Sequence, residues 1–206
     1  MYKALFLAAT ILIALCVQYL DIGIATFIAE HTGAKFLFGQ TVSSLPDLLF
    51  VIVIVASAYC WLGYFRFARR GIENRLTRSF QIAGTSLPLA YIAKDILKWV
   101  FGRTETRTWL TEPDLYAFHW FQGGPHFQGF PSGHMLVFTP LFLALWDYCP
   151  RLRLPVIFAW TGLALALMIT EYHFLGDVLA GSCLGILVHL GARRYFTLKY
   201  GKITEM

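Results

Sequence analysis

The fold class the sequence predicts is an all-α bundle of six transmembrane helices, and three observations carry it. The 206 residues are 57% hydrophobic and 14% charged, against about 45–50% and ~25% in ordinary water-facing domains. A globule of this size would lack the charge to cover its surface. Mean hydropathy is +0.59, and six stretches approach the roughly 17–25 apolar residues that a helix needs to cross a hydrocarbon core. The basic residues, finally, collect on one side of those stretches. Together these exclude intrinsic disorder, a disulfide scaffold and, despite a pI near 9.1, a nucleic-acid-binding module.

The first expected span runs from Ala4 to Leu20. Met1–Lys3 before an apolar run resembles a secretory leader. No small-x-small cleavage pattern follows, and Leu15 precedes Cys16 where a lipoprotein signal needs a small residue, so the segment reads as a retained span. The second runs from Leu45 to Phe65 and the third from Phe80 to Phe101. The fourth covers Gly133 to Tyr148, the fifth Pro155 to Thr170 and the sixth Asp177 to Leu190. The last three are short by apolar count, and Ser, Gly, His and Asp at their ends extend them toward the interface. Without an internal repeat or a low-complexity linker, residues 1–206 form one membrane-embedded domain. Cys16, Cys60, Cys149 and Cys183 lie in or at the ends of spans with no CxxC pair, which suits buried free thiols.

Twelve of the 17 Lys and Arg residues fall on one side: Lys3, then the clusters within 66–78, 151–153 and 193–202. The other side keeps Lys35, Arg103 and Arg107, with Lys94 and Lys98 inside the third span. The positive-inside rule places the twelve, and both termini, in the cytoplasm. Loops 21–44, 102–132 and 171–176 then face outward. The net charge of +5 is an orientation signal and requires no acidic partner.

Polar residues within spans are costly and face a cavity or a partner. Lys94 and Lys98 are one turn apart on a single helical face; snorkelling by Lys98 and an acidic partner for Lys94 would also account for them. Pro131-Ser132-Gly133-His134 opens the fourth span, where free N–H groups and the helix dipole attract anions, although Ser132 could simply cap the helix. His173 and Asp177, four apart at the start of the sixth span, suit a carboxylate that holds one imidazole nitrogen and leaves the other free, or a structural hydrogen bond. All three clusters fall at the external ends of their spans. Cations, helix N–H donors, two imidazoles and a carboxylate on one face are the groups that bind and move a phosphate. His119 and His126 read as surface residues and His189 as a core histidine. The aromatics of the 104–131 loop, from Trp109 to Phe130, form either an interfacial belt or a lip that admits a lipid tail.

At these residues the chain resembles the type 2 phosphatidate phosphatase superfamily, the membrane relatives of vanadium-dependent haloperoxidases. Pro131-Ser132-Gly133-His134 matches the family tetrad, and His173 with Asp177 and the 178–181 run Val-Leu-Ala-Gly matches the third motif. The first motif diverges: the usual Arg-Pro position after Lys98 holds Glu105 and Thr106, and the chain instead carries Gly102-Arg103-Thr104 with a later Thr108-Trp109, which resembles a branch of the family and makes Arg103 the phosphate arginine, with Arg107 in reserve. The third lacks its usual Ser-Arg, replaced by Ala166-Leu167, and Glu171 and Tyr172 stand in the space nearby.

The resemblance implies His173 as nucleophile, Asp177 as its support and His134 as general acid and base. It implies phosphate binding by Lys98, Arg103, Ser132 and Gly133, with Lys94, Arg107 and Glu171 as further possible contributors. It implies no metal and no cofactor. The expected activity is metal-independent hydrolysis of a lipid phosphate or diphosphate through a phosphohistidine, with no preference among undecaprenyl diphosphate, phosphatidylglycerol phosphate, phosphatidate and a lipid A phosphate. The expected location is a bacterial inner membrane with the site outside. Phosphotransfer to a second lipid, or binding of a phosphate lipid without turnover, are the alternatives. A rhomboid-like protease fits poorly, since Phe130 occupies the first glycine position of its Gly-x-Ser-Gly pattern. A metal-dependent hydrolase using His134, His173 and Asp177 would be sensitive to EDTA.

Overall fold

A computed structural model describes residues 2–32 and 45–201. Among them all regular structure is helical, apart from an isolated antiparallel bridge between Arg103 and Phe118. The elements are α1 (Tyr2–Leu15), a π-helical turn (Cys16–Leu20), α2 (Asp21–Thr32), α3 (Leu45–Ala68), α4 (Arg75–Phe101), the short α5 (Thr106–Thr111), α6 (Gly133–Tyr148), α7 (Arg153–Ile169) and α8 (Leu175–Tyr200). Single 3₁₀ turns lie at Pro113–Leu115 and Pro150–Leu152. Lys35 and Lys202, both used in the orientation argument, lie outside the described residues.

Among the described residues, four helical stretches are long and apolar enough to cross a membrane: Ala4–Thr32, Leu49–Ala68, Pro150–Ile169 and Leu175–Tyr200. The other two expected spans fall short for different reasons. α6 has only 16 residues. α4 has 27, but it buries Thr77, Arg78, Ser79, Gln81, Ser86 and Lys94 inside the protein. A helix surrounded by other helices can carry polar side chains that a lipid-facing one cannot.

Two expected boundaries are corrected. The first helix does not end at Leu20: the π turn carries it through into α2, so 21–32 is helix and Asp21 is buried. A single-turn π bulge adds a residue without breaking the helix, and such bulges gather at functional sites. The last helix continues ten residues beyond Leu190, to Tyr200.

The core forms where α3, α4 and α6 meet, through Leu49, Val53, Leu87, Ala90, Leu136 and Val137. α8 packs against α6, and α7 stands at the edge, joined near its end by Met135, Leu167 and Val178. The lipid-sized side chains of α1, α3 and α7, such as Leu7, Val55 and Phe158, point outward, as expected where the solvent is hydrocarbon. α4 starts at an Asn74 cap that accepts the Thr77 N–H at 2.9 Å and stops at Gly102, whose φ of +53° is the left-handed conformation glycine tolerates. Because α4 ends where α6 and α8 begin, three helix ends converge on one face of the bundle.

Candidate active site

Two of those ends are helix N-termini. Ser132 is fully buried and caps α6, accepting the Met135 N–H at 3.5 Å, and its own N–H donates to the Asp177 carbonyl at 3.0 Å. That bond pins the α6 start to the α8 start. Gly133 follows at the closest approach of α4: a Cβ there would lie 2.6 Å from Lys94 Cδ and 3.5 Å from Lys98 Cε. A side chain there would have to push the Lys94 stem aside, while Lys98 would be in ordinary contact. Lys94 is buried, its Nζ 2.9 Å from the neighbouring Asp95 and 3.8 Å above the Tyr91 ring, while Lys98 lies within electrostatic reach of His134, His173 and Asp177.

His134, in the first turn of α6, and His173, two residues before α8, face each other with ring centroids 6.4 Å apart. His173 is 3% exposed, and neither ring nitrogen has a hydrogen-bond partner among the described residues. Its Nδ1 lies 3.7 Å from Asp177 Oδ2. Burial pushes the His173 imidazole below its ordinary range, against the pull of Asp177, and so favours the neutral ring that a nucleophile requires. Asp177 Oδ2 accepts the Phe174 N–H at 2.9 Å, which fixes the carboxylate at the helix start.

Arg103 is brought to the same place, with its guanidinium committed to protein groups. It is 1% exposed; its Nη1 donates to Asp177 Oδ1 at 2.6 Å and its Nη2 to Asp21 Oδ2 at 2.7 Å and the Tyr116 hydroxyl at 2.7 Å. Burial opposes its charge, and the two carboxylates more than offset that and raise its pKa. Arg107, the other basic residue of this loop, donates from Nε and Nη2 to the Thr170 carbonyl and covers the Tyr172 ring at 5.3 Å. It braces the turn that carries His173. Glu105 stands at the usual arginine position; burial pushes its carboxyl up, with Lys98 pulling the other way.

Glu171 sits at the corner of that turn with a φ of +58°. It is buried, and among the described residues its Oε1 and Thr106 Oγ1 have no hydrogen-bond partner. Both line a cavity of about 10 Å³ shared with Asp21 and His173, the size of one water molecule. Among the described residues, no set of three His, Cys, Asp or Glu side chains comes together as a cation site.

Asp21 is the residue the sequence reading left out. It is 1% exposed, and besides Arg103 it accepts the Gly176 N–H at 2.8 Å. The signal was available: an acidic residue inside an apolar run that continues through Ile22–Ile28.

The family model for the PAP2 superfamily matches residues 80–200. No curated protein and no solved structure matches the chain. The matched stretch includes Lys94, Lys98, Arg103, Ser132, His134, His173 and Asp177, and leaves out α1, α2 and Asp21.

Proposed function

The chain belongs to the PAP2 superfamily, a family of phosphatases, and on that premise we propose that it is an integral membrane lipid phosphatase working through a phosphohistidine. The observation that carries this reading is His173: a buried imidazole with Asp177 Oδ2 3.7 Å from Nδ1 and the Gly129 backbone beside it, no partner within hydrogen-bond distance of either nitrogen among the described residues, opposite a second imidazole. A structural histidine with a 3% exposed ring would be expected to have its nitrogens satisfied.

In the proposed reaction the Nε2 lone pair of neutral His173 attacks phosphorus. The bond from phosphorus to the lipid oxygen breaks, and His134 gives that oxygen its proton. The ring then carries a positive charge, with its Nδ1 proton toward Asp177. Water attacks the phosphohistidine, His134 takes the water proton, phosphate leaves, and His173 returns to neutral. Lys98, the Ser132 hydroxyl and the Gly133 N–H hold the equatorial oxygens as charge moves, with Lys94 adding positive potential behind them. Arg103, engaged by two carboxylates, contributes by fixing Asp177.

We read the whole chain as one membrane-embedded domain crossing six times, with the short α6 and the buried α4 as the two spans least exposed to lipid. Arg66, Arg69 and Arg70 at the end of α3, Arg151 and Arg153 before and in α7, and Arg193 and Arg194 in α8 lie at helix ends remote from His173. That distribution supports a cytoplasmic basic face and an external site in a bacterial inner membrane. The substrate class is a phosphate or diphosphate monoester on a lipid, such as phosphatidate, phosphatidylglycerol phosphate, undecaprenyl diphosphate or a lipid A phosphate.

The test is release of inorganic phosphate from that panel by purified protein in detergent, with and without EDTA, beside a folded His173→Ala variant. Release by the wild type alone supports the reading. Equal release by the variant overturns the nucleophile, and loss on EDTA treatment overturns metal independence.

A further inference from the structure

We propose that Asp21 is a positioning residue of this site: through Arg103 it sets the charge that Asp177 presents to His173. The inference rests on the phosphatase reading and adds a residue from outside the matched family stretch.

Asp177 divides its oxygens. Oδ1 takes the Arg103 Nη1 at 2.6 Å, and Oδ2 takes the Phe174 N–H and faces His173 Nδ1 at 3.7 Å. An arginine bonded so closely to one carboxylate, alone, makes a neutral pair. A neutral pair does little for an imidazole that becomes cationic when its far nitrogen is phosphorylated. Asp21 changes that balance. It takes the other end of the guanidinium at 2.7 Å, and with all three groups ionised the buried cluster carries one net negative charge, next to the ring that gains a positive one. In a site closed to water that interaction is screened only weakly.

The cluster is also fixed in place. The Gly176 N–H holds Asp21 Oδ1 at 2.8 Å, and the Tyr116 hydroxyl accepts from Arg103 and donates to the Val17 carbonyl at 2.8 Å. The π turn immediately before Asp21 sets the rotation of α2 that aims this carboxylate at Arg103. α1 and α2 therefore act on the chemistry through Arg103, and α2 also closes the small cavity beside His173.

The titratable groups around His173 are Asp177 from α8, His134 from α6, Lys98 from α4, Tyr172 and Glu171 from its own turn and, across the small cavity that Glu171 lines, Asp21 itself. Of these only Asp21 is altered in an Asp21→Asn variant, which keeps the side-chain shape, removes one charge and turns one of the two oxygens that accept from Arg103 and Gly176 into a donor. The protonation midpoint of His173, read by ¹⁵N NMR and assigned with His173→Ala, should fall by about one unit in Asp21→Asn. kcat should fall about tenfold to a hundredfold, with KM within twofold. Tyr116→Phe loosens the same anchor without changing charge, and should leave the midpoint where it is. An unchanged midpoint in Asp21→Asn, or an equal shift in Tyr116→Phe, overturns the proposal. If Asp21→Asn does not fold, Asp21→Glu carries the test: the midpoint should stay within half a unit of the wild type, and a larger shift with the charge retained overturns it. The NMR readout needs no turnover. A shifted midpoint in a protein that releases no phosphate from any lipid would leave the coupling standing and remove the phosphatase reading.

Discussion

His134 and His173 stand 6.4 Å apart with their rings inclined at 65°, and Tyr172 is edge-on to both. Asp177 lies beside only one of them, and this asymmetry divides the roles. The imidazole with a carboxylate behind it can bear a lasting positive charge, as a phosphohistidine must. The other must gain and lose a proton within each turnover.

The two histidines should therefore respond differently to substitution. His173→Ala is expected to abolish turnover on every substrate. His134→Ala should cost about 10²–10⁴-fold on a lipid alkoxide leaving group, and far less in the first step with p-nitrophenyl phosphate, whose leaving group needs no proton. In that variant an acid-labile, base-stable phosphoenzyme should accumulate on His173. Failure to trap it during p-nitrophenol release would count against the covalent route.

Burial holds the His173 pKa below its ordinary value near 6.5, and the sign of two pH effects follows. The acid limb of kcat/KM should lie below pH 6.5, because the ring stays neutral there. Stability should move the same way. Between the folded and unfolded values the unfolded chain binds the extra proton, so stability falls as pH drops below about 6.5 and continues to fall through the folded value. The thermal midpoint of His173→Asn should lose less than the wild type on going from pH 7 to 5. Parallel curves for the two proteins would show that His173 does not carry this dependence.

Much of the site was legible because it depends on short-range order. Ser132, Gly133 and His134 are consecutive at a helix start, and His173 and Asp177 are one turn apart, so their proximity follows from helix geometry once the spans are placed. The partners of Arg103 were not legible. They are Asp21 and Asp177, in different helices, and the Asp21 contact exists only because a π turn carries the first helix past Leu20. No hydropathy pattern marks a π turn. The six-span expectation includes α4, which hydropathy alone does not support: one face of it buries polar side chains such as Gln81, Ser86 and Lys94 while Leu89, Ile92 and Ile96 stay exposed, and an average over the helix merges the two faces. Glu171 shows a further limit, since its left-handed backbone is imposed by the turn between α7 and α8.

The α6 N-terminus offers a sharper test of the phosphate cradle. Gly133→Ala adds a single methyl that would meet Lys94 Cδ at 2.6 Å and Lys98 Cε at 3.5 Å. A lysine stem can move aside, so the fold should survive with a loss of about 1 kcal/mol or less. The stem that must shift is that of Lys94, whose ammonium sits against Asp95 and the Tyr91 ring, so the positive potential behind the cradle would change. kcat/KM should fall about tenfold or more, and inhibition by vanadate or inorganic phosphate should weaken in parallel. Unchanged anion inhibition in a folded Gly133→Ala protein would remove Lys94 from the cradle.

The opposite end of the bundle supplies the control. Asp147 near the end of α6 accepts His189 Nε2 at 3.0 Å and Arg193 Nη1 at 2.9 Å, and His189 is 2% exposed with Nδ1 unpartnered among the described residues. This cluster ties α6 to α8 at the end remote from His173. Arg193 is half exposed and adds little, because water screens the pair. The buried imidazole contributes more, since it loses its only acceptor in Asp147→Ala. That variant should lose about 1–3 kcal/mol of stability while keeping kcat and KM within about twofold at a temperature where it is folded. Thermal unfolding in detergent and phosphate release, measured on the same preparation, separate the two effects. A large loss of kcat without a loss of stability would mean that the α6–α8 contact at this end transmits to the site, and that the chemistry is not confined to the end where α4, α6 and α8 converge.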